Sequence, residues 1–173
     1  MHDSTPLTHR IVLLLAAVVS QSAPVACSDV IAQEAAQQRI GQFVELPGQI
    51  TDRQVTLIRN QLLDLARRSA QEDKEAVMVL KLVPGASTVG NVTDLARVLI
   101  DDETSSVKTV AWIQDRIVGS HAIVALACHE IMMAHRSAVG DIGKGKRVTE
   151  DEAAFVRRVV SKRRNSRVSP AVA

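Results

Sequence analysis

Residues 75–102 read EAVMVLKLVPGASTVGNVTDLARVLIDD. Val77 to Leu82 is a nearly unbroken apolar run without clean alternation. That pattern predicts a strand covered on both faces. Pro84-Gly85 stops it. In NVTDLARVLIDD, residues Val92, Leu95, Ala96 and Leu99 share one side at helical spacing. A buried strand, a Pro-Gly turn and an amphipathic helix together make one unit of an α/β fold.

The same alternation extends in both directions. Upstream, QFVELPG predicts a short strand ending at Pro47-Gly48. Thr51 to Ala70 then reads as the clearest helix. Its TDRQ start fits a capping box, and Val55, Ile58, Leu62 and Leu65 form an apolar stripe. Downstream, VKTVAWI is a strand, Gly119 to Cys128 a small-residue helix, EIMMAH a strand and SAVGDIG a loop. Thr149 to about Arg164 is a last helix. It opens on TEDE, a second capping box, and ends on basic residues, which suits the helix dipole. Four strands alternating with four helices imply a mainly parallel sheet with helical crossovers. In such sheets, sites gather at the carboxyl ends of strands, here the loops VPGAS and DRIVGS. No internal repeat stands out.

Composition agrees with this architecture. The 173 residues fit one domain. Apolar residues make up 46% and aromatics 2%, so the core must be Val, Leu, Ile and Ala, as in layered α/β domains. The scarcity of aromatic platforms argues against a single-stranded nucleic-acid reader, and a net charge of +2 does not call for a polyanion. Nucleic acid is not an expected partner.

The first 26 residues carry His9 and Arg10 before IVLLLAAVVS and then SQSAPVAC. This reads as a signal peptide or N-terminal anchor, too short in its apolar run to span a bilayer. Ala26-Cys27 has the outline of a lipoprotein junction, with Pro24 out of place. Residues 27–40 form a polar connector, 41–165 the folded domain and 166–173 a tail. The expected location is exported, either periplasmic or membrane-associated. Cys128, within IVALAC, reads as a small buried hydrophobe rather than a disulfide partner.

VLKLVPGASTVGNVTDLARVL, VKTVAWI and GSHAIVALACHEIMMAHRSAVGDIG, taken in order, resemble the protease domain of NfeD-type membrane-bound serine proteases. These are relatives of signal peptide peptidase A in the Clp protease/crotonase superfamily. The resemblance is greatest to divergent NfeD-like proteins of planctomycete-type bacteria, and it runs from about Phe43 to Asn165. It implies a Clp protease/crotonase-like layered fold and Ser–Lys peptidase chemistry without a cofactor. In that chemistry a serine at the head of the small-residue helix attacks a peptide carbonyl, and a lysine takes its proton. Amides after the preceding strand face the oxyanion. Gly85 and Ala86 fall at that oxyanion station, where the family carries a second glycine.

The catalytic stations depart from the family pattern. Matching ALACHEI puts Gly119 at the nucleophile position, with Ser120 one residue later, a rotation of about 100° on a helix. Ser120 also suits a helix N-cap. Counting back from AAFVRRV puts Arg147 at the lysine position, and an arginine stays protonated. Lys144 and Lys146 flank it in GKGKR. Three functions follow from the resemblance. The first is a catalytically degenerate domain working in membrane-associated quality control or assembly, with a protein or peptide partner. The second is an active endopeptidase using Ser120 and Lys146. The third is a crotonase-like acyl-thioester enzyme. The resemblance also implies homo-oligomers, for which an exposed apolar face on Val156, Val159 and Val160 is expected.

Other groupings are weaker. His129, Glu130 and His135 in HEIMMAH lack the four-residue histidine spacing of a zinc helix, so no metal is expected. His121 follows Ser120, and helical neighbours point apart. The basic tail RRVVSKRRNSRV reads as a solvated face, with anionic lipid as the functional option.

Overall fold

The computed structural model describes residues 39–162. The leader, Cys27, most of the connector and the tail lie outside the described residues.

Four strands form the main sheet: β1 (Arg39–Leu46), β2 (Glu75–Leu82), β3 (Val107–Ile113) and β5 (Glu130–Met133). They run parallel in the order β1-β2-β3-β5. β1 begins at Arg39, inside the stretch assigned to the connector. Two three-residue strands, β4 (Arg116–Val118) and β6 (Ala138–Gly140), pair in parallel as a separate small sheet. Both lie in segments that read as loops. The chain is thus an α/β protein with a mainly parallel sheet.

The helices are α1 (Asp52–Glu72), α2 (Val89–Leu99), α3 (His121–Ala127) and α4 (Glu150–Lys162). α1 starts where its capping residues place it, with the Thr51 amide donating to Gln54 Oε1 at 2.8 Å. α2 starts two residues before the expected Asn91, because Thr88 takes the N-cap and its Oγ1 accepts from the Asn91 amide. At α4 the capping box is complete. The Thr149 amide donates to Glu152 Oε2 at 2.9 Å, and the Glu152 amide to Thr149 Oγ1 at 3.3 Å. The Thr149 amide, and then its hydroxyl, which donates to the same Oε2 at 2.9 Å, hold the Glu152 carboxyl below its usual pKa.

The core lies on one side of the sheet. Ala76, Met78, Leu80 and Leu82 of β2 point into it beside Val107, Ala111 and Ile113 of β3. Ile58, Leu62 and Leu65 of α1 and Val92, Leu95, Ala96 and Leu99 of α2 pack there, with Ile123 and Val124 of α3. The expectation that β2 is covered on both faces does not hold. Its residues alternate, and Val77, Val79 and Lys81 are only half-buried. The opposite face carries Phe43 and Trp112 in edge-to-face contact at 5.5 Å, with Met132 next to Trp112 across the β3–β5 pair. Phe43 and Met132 are more than half exposed.

A second correction concerns α4. Val156, Val159 and Val160 are at most 3% exposed and belong to the core. The face expected to seek a partner is used inside the chain. Among the described residues no helix is long and apolar enough to cross a membrane.

Candidate functional site at the carboxyl ends of the strands

Two loops that share the pattern Pro-Gly-x-x-Thr meet here. After β1 the chain reads PGQIT (Pro47–Thr51), and after β2 it reads PGAST (Pro84–Thr88). Each ends on the threonine that precedes a helix. The loops pack backbone to backbone: a Cβ placed on Gly85 would lie 1.8 Å from the Gly48 carbonyl oxygen. Only glycine permits that approach. The second loop then satisfies the first. The Ile50 amide donates to Ser87 Oγ at 2.7 Å, and Asn91 Nδ2 donates to the Ile50 carbonyl at 2.9 Å.

Ser87 has a further partner. His121, the first residue of α3, places Nε2 2.7 Å from Ser87 Oγ. His121 is 4% exposed, whereas the serine is half-buried. Burial, and then the charge of Lys144, push the His121 pKa below its ordinary 6.5. A neutral ring protonated on Nδ1 accepts the Ser87 hydroxyl proton through Nε2. The histidine is therefore paired across the fold rather than with its neighbour Ser120.

Gly119 lies between β4 and α3. Its φ is +76°, a left-handed conformation, and its amide donates to the Asp141 carbonyl at 2.9 Å. The Lys144 stem lies directly over its Cα. A side chain at 119 would put Cβ 2.4 Å from Lys144 Cε and 3.1 Å from Cδ and Cγ. Lys144 is held there by a tight turn. Its own φ is +49°, its amide donates to the Asp141 carbonyl at 3.0 Å, and Asp141 Oδ1 accepts from the Gly145 amide at 2.9 Å.

Ser120 stands at the N-cap position of α3, but its side chain does not cap the helix. Its φ of −55° and ψ of −32° are already helical, whereas a capping hydroxyl needs an extended backbone. Ser120 Oγ has no hydrogen bond to Lys144 or Lys146 among the described residues. Lys146 faces a different space. It lines a groove of about 440 Å³ with Ala122, Leu126, Val139, Ile142 and Val156. Arg147 is exposed. At the expected oxyanion station, Gly85 is pressed against Gly48 and Ala86 is exposed.

The histidines do not converge. His129 is tied to β3: its Nδ1 accepts from the Thr109 amide at 3.0 Å, and its amide donates to Thr109 Oγ1 at 3.2 Å. His135 is exposed beyond β5. Among the described residues no three His, Cys, Asp or Glu side chains are placed to hold a metal ion.

Sequence reading missed Ser87 and the contact of Lys144 with Gly119. The recurrence of Pro-Gly-x-x-Thr was the available signal for the first, since it marks two equivalent strand-to-helix turns. The second had none, because the Lys144 stem is aimed by a turn in which Asp141 and Lys144, neither a glycine, take left-handed backbone beside Gly145. No family model matches the chain, and no curated protein is significantly similar to it.

Proposed function

We propose that the chain is an NfeD-like, serine-protease-type domain of the Clp protease/crotonase class that has lost peptide cleavage. On this reading it works by holding or assembling protein partners in an exported, membrane-associated setting. One observation carries it. The residue matched to the nucleophile is Gly119, and a lysine stem, that of Lys144, occupies the place where its side chain would project. A lysine near that position fits Ser–Lys ancestry, in which the base is retained and the hydroxyl is gone. Ser120, one residue on, is not hydrogen-bonded to a lysine that could take its proton, and a serine hydroxyl without a base is a weak nucleophile.

Labelled, unfolded casein tests the reading. Its fluorescence anisotropy should rise to a saturable plateau as the full chain is added, with the casein intact on a gel. A flat titration, or fragments in place of intact casein, contradicts the proposal.

A further inference from the structure

We propose that Ser87 and His121 form a nucleophile–base pair that accepts acyl groups from small oxyesters. This site is distinct from the Gly119 station and goes beyond the reading above, which concerns peptide cleavage.

The geometry supports it in three ways. First, the Oγ–Nε2 separation of 2.7 Å is that of a hydroxyl able to pass its proton to an imidazole. Second, the serine is aimed. The Ile50 amide donates to the same oxygen at 2.7 Å, which fixes Oγ between the loop after β1 and the head of α3. The Gly48–Gly85 contact holds the loop of Ser87 against that of Ile50. Third, accessibility is divided as the chemistry needs. The base is buried at the head of α3, and the nucleophile is half-buried at the end of β2. The depressed His121 pKa agrees, since a ring kept neutral can act as a base near neutral pH. The Lys144 charge that helps depress it also favours negative charge developing beside His121.

The chemistry closes without a co-reactant other than water. Ser87 Oγ adds to the ester carbonyl carbon while its proton passes to His121 Nε2. The tetrahedral adduct collapses, the carbon–oxygen bond to the alcohol breaks, and the alcohol leaves with the proton from Nε2. Water then adds to the acyl-Ser87 ester and gives a proton to Nε2. Collapse releases the carboxylic acid and returns that proton to Ser87 Oγ.

Bonding the Ile50 amide is a structural duty that Ser87 performs whether or not it reacts, so the test must read covalent chemistry. The full chain is incubated with a fluorophosphonate, and in parallel with p-nitrophenyl acetate, then digested with trypsin. Ser87 falls in the peptide 82–97 and Ser120 in 117–136, so mass spectrometry separates the two serines. We expect the adduct on 82–97, with none in S87A and at least about a tenfold lower labelling rate in H121Q, which keeps a polar side chain but no base. Mapping the native chain keeps the test valid if a variant fails to fold. No adduct on the native chain overturns the inference and leaves the account of Gly119 standing. Label confined to 117–136 and abolished by S120A overturns both.

Discussion

Gly119 and Lys144 share one small volume. An alanine at 119 would have to keep a left-handed φ, which costs a residue with a Cβ about 1–2 kcal/mol, and would also press on the lysine stem. Urea denaturation of G119A should therefore show a loss larger than that backbone cost alone. In a K144A background the loss should shrink toward the backbone term alone, and equal losses in both backgrounds would refute the contact. His121 supplies a pH prediction. Its native pKa lies below the ordinary 6.5, so the unfolded chain binds the proton more readily. Stability is then full above 6.5, falls as pH drops below that value, and levels off once pH is under the depressed native pKa. Urea midpoints measured between pH 8 and pH 5 should show this fall. H121Q should lack the His121 share of it, and an unchanged slope in that variant would contradict the assignment.

At the scale of elements, the long ones were legible and the short ones were not. The stripe Val55, Ile58, Leu62 and Leu65 and the capping pairs Thr51–Gln54 and Thr149–Glu152 located α1 and α4, because period and cap chemistry are local properties. β4 and β6 have three residues each, too few to show any period, and exist only because they pair with each other. The apolar run in β2 overstated its burial. Val77 and Val79 are aliphatic but sit on the sheet face with the Phe43–Trp112 pair, which no helix of the described residues covers. At the loop pair, G85A should destabilise by about 2–3 kcal/mol, since its Cβ meets backbone that cannot swing away. Gly90, in α2, has open space around it, and G90A should stabilise by up to about 1 kcal/mol. Thermal denaturation showing the reverse order would place the two loops differently.

At the scale of the whole molecule, the core and the open sheet face exchange the roles the sequence suggested. Val156, Val159 and Val160 looked like an oligomer surface and are core. V159D should abolish cooperative unfolding rather than merely dissociate an assembly, because an unpaired charge would be buried in the core. A variant that stays folded with a smaller hydrodynamic radius would return those valines to an interface. The central claim, that the framework persists while peptide cleavage is lost, is tested most directly by the rate at which the purified full chain cleaves casein, measured beside S120A and K144A. The account predicts three rates indistinguishable from buffer. Cleavage by the native chain that disappears in either variant would contradict it.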